Sequence, residues 1–179
     1  MQQPHNILVV DDEENVLNAI KRIFKPYTLI TCFTTTDPFE ALKIVDKEKI
    51  DLIITDQRMP GMTGIELLKK ITAKYPEVIK IILSAYSDLN VILEAINEVG
   101  VYKFILKPWN NEDFLLTVIR ALEWKELIGE NRSLQEEIKK RDAILAYWEQ
   151  RYPGITKVKT DENGEVYIEL DEDLGELLK

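Results

Sequence analysis

Leu52-Ile53-Ile54-Thr55-Asp56-Gln57-Arg58-Met59-Pro60-Gly61-Met62-Thr63-Gly64 is the stretch on which the fold turns. It opens as a short apolar run and stops at an acid. Uninterrupted runs of this length suit strands buried on both faces of a sheet. After Gly64 the pattern changes period. Ile65, Leu67, Leu68 and Ile71 recur at helical spacing, and Thr63 can cap that helix by accepting from a free backbone N–H. The stretch is therefore a strand, a loop and a helix, with Asp56 at the strand's carboxyl end.

The same unit recurs on either side. Ile7 to Val10 ends at Asp11-Asp12, Ile79 to Leu83 ends at Ser84, and Tyr102 to Leu106 ends at Lys107-Pro108. Leu29 to Phe33 makes a fifth, weaker strand. Helical patterns lie between them: Val16, Ile20, Ile23 and Phe24; Phe39, Leu42, Ile44 and Val45; and Val91, Ile92, Ala95 and Ile96, which Ser87 or Asp88 can cap. Alternating strands and helices imply an α/β fold, a parallel sheet covered on both faces with right-handed connections. In such sheets ligands bind outside the carboxyl ends of the strands. Asp11, Asp12, Asp56, Ser84 and Lys107, far apart in the chain, are thus expected in one crevice.

Composition narrows the class. The chain has 179 residues, 45% hydrophobic and 31% charged, which fits a globular domain with an appendage. No apolar run is long enough to span a bilayer, so no membrane insertion is expected. Met1 to Asn6 lacks the features of a signal peptide, and a lone cysteine, Cys32, suits a reducing, cytoplasmic compartment. A net charge of −9 and the absence of a basic recognition helix argue against direct nucleic-acid binding. The single histidine, His5, reads as a disordered terminal residue.

Three carboxylates in one crevice repel each other, and a hard divalent cation relieves that repulsion; magnesium is commonly held by one or two carboxylates plus phosphate and water. A carboxylate can attack phosphorus to give an acyl phosphate. A lysine supplies a compact cation and a serine a donor hydroxyl for phosphoryl oxygens.

Residues 6 to about 120 resemble the receiver domain of two-component response regulators. The resemblance rests on Val10-Asp11-Asp12-Glu13, on the run from Asp56 to Gly64, on Leu83-Ser84-Ala85 and on Lys107-Pro108-Trp109, all in order and at receiver spacing. It implies a five-stranded doubly wound sheet in the flavodoxin-like order 2-1-3-4-5. It implies that Asp56 is the phosphoacceptor, that Asp12 binds Mg2+ directly and Asp11 through water, and that Asp56 and the backbone carbonyl of Arg58 complete the set. It implies Lys107 as phosphoryl-oxygen ligand, Ser84 as switch hydroxyl, Phe104 as the aromatic switch partner, and a cis Lys107–Pro108 bond. Phe104 stands where tyrosine is common and so cannot mark its inward state with a phenolic hydrogen bond. Arg58 and Tyr86 occupy variable positions beside the site and are expected to tune dephosphorylation. The implied donor is a sensor histidine kinase or a phosphotransfer protein.

From Asn110 the helical pattern runs on to about Gln150. Trp124, Leu127, Asn131, Leu134, Ile138, Arg141, Leu145 and Trp148 form an a/d heptad seam. Asn131 at an a position favours a parallel two-stranded coil. Against it, Gly129 costs helix stability, Arg141 interrupts the seam, and Glu137 would face Asp142 across a parallel pair. The alternatives are a helix folded back on its receiver or a solvated linker. Tyr152-Pro153-Gly154 should end the helix. A hairpin around Glu162-Asn163-Gly164 should then pair Thr160 with Val166, Val158 with Ile168 and Thr156 with Leu170, and Asp171 to Lys179 makes an acidic tail.

The expected organisation is a receiver over 1–122, a coiled-coil-like helix over 123–151, and a short hairpin with tail over 152–179. The expected function is a response regulator of a phosphorelay, signalling through a homodimer over 124–148 or through partner contacts. No separate enzymatic output is expected. One histidine cannot furnish a metal-dependent phosphodiesterase, the segment after the receiver is too short for an ordinary kinase domain, and no strand ends in the Asp-x-Asp of aspartate-nucleophile phosphatases. The alternative is a receiver subunit that regulates transcription or nucleotide signalling through a separate output chain.

Overall fold

The computed structural model describes residues 3–85 and 99–154 and the backbone of 159–160 and 166–167. The helical pattern of residues 91–96, its capping residues Ser87 and Asp88, Tyr86, the hairpin turn and the acidic tail lie outside the described residues.

Five strands form one parallel sheet: β1 (His5–Val10), β2 (Ile30–Thr35), β3 (Leu52–Asp56), β4 (Ile79–Ser84) and β5 (Lys103–Leu106). Their order is β2-β1-β3-β4-β5, as the resemblance implied. Helices α1 (Glu14–Phe24), α2 (Pro38–Lys47) and α3 (Gly64–Lys74) follow the first three strands, and α4 (Asn111–Arg151) follows β5.

The alternation of side chains along a strand sorts the core into two layers. Ile7, Val9, Leu52, Ile54, Ile81 and Leu83 pack with Leu17, Ile20 and Phe24 of α1 and with Phe114, Val118, Ala121 and Leu122 of α4. On the other face Leu8, Val10, Ile53 and Ile82 pack with Ala41 and Val45 of α2 and with Ile65, Leu67, Leu68 and Ile71 of α3. The central strands β1, β3 and β4 are mostly apolar because both faces are covered; Lys80 interrupts β4, and its Nζ donates to the Pro76 carbonyl at 3.2 Å.

Local chemistry fixes the helix starts. Asp37 accepts from the Phe39 N–H at α2, with Pro38 in the first turn. Thr63 and Glu66 form a full capping box at α3. Asn110 accepts from the N–H groups of Glu112 and Asp113 at α4.

His5 departs from the reading of the sequence. It is the first residue of β1 and only 4% exposed. Its Nδ1 lies 3.3 Å from Asp51 Oδ2 and its Nε2 3.0 Å from Glu126 Oε1. Pairing with Ile30 carries the strand two residues beyond the apolar run, and the alternation then turns His5 to the same side as Ile7 and Val9.

The chain forms two compact units, residues 1–129 and 130–179. In the second, β6 (Lys159–Thr160) and β7 (Val166–Tyr167) pair antiparallel, with Thr160 opposite Val166 as expected from the hairpin register. No helix among the described residues is long and apolar enough to cross a membrane.

Candidate functional site

The register of the sheet brings the polar strand ends together. Val10 stands opposite Thr55, Asp56 opposite Leu83, and Ser84 opposite Leu106. The residues that follow β1 and β5, Asp11 and Lys107, therefore flank Asp56. The Gln57 N–H donates to the Leu83 carbonyl and the Lys107 N–H to the Ser84 carbonyl, which carries the ladder one step past each strand.

Lys107 links the two acids. Its Nζ is 2.7 Å from Asp11 Oδ2 and 2.6 Å from Asp56 Oδ1. Burial lowers the pKa of this ammonium, but the hydrogen bonds it donates to Asp11 and Asp56 outweigh that and hold Lys107 above the usual lysine value. Asp11 is wholly buried. Burial pushes its carboxyl above the usual aspartate range and the Asp56 charge adds to the rise; the bonds from Lys107 and the Glu13 N–H pull the other way. The other oxygen of Asp56 accepts from the Arg58 N–H.

Asp12, the neighbour of the buried Asp11, is exposed, and so is Arg58. Among the described residues no three histidine, cysteine or acidic side chains close as a ready-made metal cage. The donors that do gather are all oxygens, the type a hard divalent cation takes, and the charge burden on Asp11 is one that a cation relieves. Magnesium keeps several waters and seldom needs an all-protein cage, so the residues present fit that ion.

Ser84 is buried at the end of β4, and its Oγ donates to the Ala85 carbonyl at 3.0 Å. Phe104 on β5 is half-buried against the layer beneath α2 and α3. The Lys107–Pro108 bond is cis. Tyr86 lies outside the described residues.

Two features escaped the sequence. Lys107 bridges both acids, where the motif implied only a phosphoryl contact. Gln57, directly after Asp56, is buried, and its side-chain oxygen has no hydrogen-bond partner among the described residues. A polar residue between the strand and the Met59-Pro60-Gly61 loop was the available signal.

A family model for the response regulator receiver domain matches residues 7–119. This chain belongs to the response regulator receiver family. The chain is 34% identical over 139 residues to the hydrogenase transcriptional regulatory protein HoxA of Cupriavidus necator, a match that covers 78% of this chain and 28% of HoxA. It is 33% identical over 119 residues to sporulation initiation phosphotransferase F of Bacillus subtilis, covering 66% of this chain and 94% of that protein. Among solved structures, the signal receiver domain of an HD domain-containing protein from Pseudomonas fluorescens Pf-5 superimposes with a TM-score of 0.66 at 32% identity, over 69% of this chain and 98% of that one. The chain thus spans little more than a quarter of the length of HoxA.

Proposed function

We propose that this receiver accepts a phosphoryl group on Asp56 from a sensor histidine kinase or a phosphotransfer protein, in the cytoplasm, and signals through protein contacts rather than through an enzymatic output or direct nucleic-acid binding. The observation that supports this reading is the Lys107 ammonium held between Asp11 and Asp56. A carboxylate oxygen of Asp56 attacks phosphorus, the bond from phosphorus to the donor nitrogen breaks, and the donor leaves with its electron pair. Such a transfer needs mostly positioning and charge neutralisation, and Lys107 stands where it can follow the new phosphoryl oxygens.

Asp12, Asp56 and the Arg58 carbonyl would hold Mg2+ directly and Asp11 through water. Bound there, the ion neutralises charge on the transferring oxygens. Ser84 then donates its hydroxyl to the phosphoryl group, and Phe104 takes up the space this movement changes. Arg58 and Tyr86, by their positions in the sequence, would set the lifetime of the acyl phosphate.

The output surface in this reading is the apolar seam of α4, which pairs two copies over residues 124–148. The working division is a receiver over 1–122, the seam helix over 123–151, and the hairpin with its tail over 152–179. In a second reading the receiver regulates transcription or nucleotide signalling through an output carried on another chain; the name of HoxA, a transcriptional regulatory protein, supports its transcriptional arm.

Incubation with magnesium and a small phosphodonor, followed by intact-mass measurement, tests the first step. The expected result is one added phosphoryl group on the wild type and none on Asp56→Ala. Equal labelling of the two would reject Asp56 as acceptor. Light scattering on the wild type and on a Leu134→Gln/Ile138→Gln variant tests the output: the wild type should be a dimer and the variant a monomer that still accepts phosphate.

A further inference from the structure

The seam of α4 is strongly exposed for its chemistry. Trp124, Leu127, Leu134, Ile138, Leu145 and Trp148 are each between 43% and 57% exposed. They lie along one face of a single 41-residue helix, at a and d positions over roughly 36 Å at 1.5 Å per residue. We propose that this seam pairs with a second copy of itself running in the opposite direction. The inference deepens the dimer proposed above and rests on it.

The seam is a mirror about Glu136. Forward from its first residue it reads Trp124, Leu127, Asn131, Leu134; backward from its last it reads Trp148, Leu145, Arg141, Ile138. When two heptad helices run antiparallel, each a position meets a d position of its mate. Centred on Glu136, that arrangement sets Trp124 against the partner's Trp148, Leu127 against the partner's Leu145, and Leu134 against the partner's Ile138. The two polar seam residues meet each other, so that the Arg141 guanidinium can donate to the side-chain carbonyl of the partner's Asn131.

A parallel pair does the reverse. It stacks Arg141 on the partner's Arg141 inside the seam, where like charges lose their water without gaining an opposite charge. Flanking positions show the same preference. In a parallel pair Glu123, Glu130 and Ile144 face the partner's Ile128, Gln135 and Glu149, and Glu137 faces the partner's Asp142; no flank pairs opposite charges. Antiparallel pairing places Glu123 beside the partner's Arg151 at both ends and Glu130 beside the partner's Ile144. One like-charged contact remains, Glu137 with its own copy at the centre, and Arg141 stands one turn away on the same helix to offset it.

The two orientations predict different distances. Glu136, Ala143 and Gln150 share the outward face of the helix. In a Cys32→Ser background of the full-length chain, Glu136→Cys, Ala143→Cys and Gln150→Cys each take one spin label, and the label-to-label separation in the dimer is measured by pulsed resonance. Antiparallel pairing gives a short separation at 136, one longer along the axis by about 20 Å at 143, and one beyond about 40 Å at 150. Three equal short separations would overturn the orientation and leave the dimer standing. A monomer by light scattering on the unlabelled wild type would overturn both. A charge reversal gives an independent readout: Glu123→Lys should weaken the dimer severalfold, and adding Arg151→Glu should restore it. No weakening by Glu123→Lys would overturn the antiparallel pairing.

Discussion

Nε2 of His5 lies 3.0 Å from Oε1 of Glu126, which joins the first residue of β1 to α4 beyond the part of that helix that packs on the sheet. The other ring nitrogen faces Asp51, whose Oδ2 also accepts the Asn6 N–H. One residue earlier on α4, Lys125 donates to the Glu77 carbonyl at 2.7 Å. Two neighbouring side chains therefore fasten the helix at the edge of the sheet opposite the acidic crevice. The His5–Glu126 contact is part-buried, and a hydrogen bond of this kind contributes about 0.5–1.5 kcal/mol net. His5→Ala and Glu126→Ala should each destabilise the receiver by about that amount in urea titrations. The double variant should lose less than the sum, because the two residues share one contact. Strictly additive losses would show that the contact carries no stability.

Gly64 leaves no room for a side chain. A methyl group built there would sit 2.2 Å from the Asp56 carbonyl oxygen and 3.2 Å from Gln57 Cα, both backbone atoms that cannot swing aside. Gly64→Ala must push α3 away from the end of β3, at about 1–3 kcal/mol or somewhat more. The displacement falls on the backbone of Asp56 itself. Thermal unfolding should show a lower midpoint, and phosphorylation by a small donor should slow even below that midpoint. An unchanged midpoint would mean that the loop yields easily.

Much of this arrangement was legible in the sequence, for reasons that particular residues make plain. Strand ends were visible because strands covered on both faces are mostly apolar up to their last residue, and the chemistry-bearing polar residues stand there or one step beyond, as Asp56, Ser84 and Lys107 do. The start of α3 was visible because a cap such as Thr63 acts within one turn. His5 was invisible because its partners are supplied by topology: Asp51 by the β1–β3 pairing and Glu126 from 121 residues away. The same holds for Lys107, whose contact with Asp11 closes over 96 residues. Local patterns report local chemistry, and long-range polar contacts appear only when the sheet is assembled.

Cys32 should be a poor nucleophile. Burial pushes its thiol up to about 11, against a smaller opposing effect from Lys21. A raised thiol pKa means that the reactive thiolate is scarce below pH 11. Alkylation of the folded protein near pH 8 should therefore run on the order of 100-fold slower than that of the unfolded chain, since two pKa units cut the thiolate fraction by about that factor. The folded rate should still be climbing above pH 9, where an ordinary thiol levels off. Equal rates for folded and unfolded protein at pH 8 would contradict the burial of this thiol.

Lys107 holds an oxygen of each carboxylate, and so it stands in competition with any divalent cation that shares them. Replacing it by a methionine of similar length keeps the packing and removes the charge. Hydrogen bonds to charged groups contribute about 1.5–3 kcal/mol, and release of even the lower amount to a cation corresponds to roughly tenfold in affinity. Lys107→Met should therefore bind magnesium about tenfold more tightly, read by titration of tryptophan fluorescence, because Trp109 lies two residues from the substituted position. Phosphorylation should move the other way. Removing one preorganised group that stabilises developing charge typically costs on the order of 100-fold in rate, so labelling of Asp56 by a small donor should slow by about that factor. The opposite signs separate this role from a structural one, since a variant that merely loosened the crevice would lose metal affinity and rate together. A joint loss of both would therefore reduce Lys107 to a packing residue.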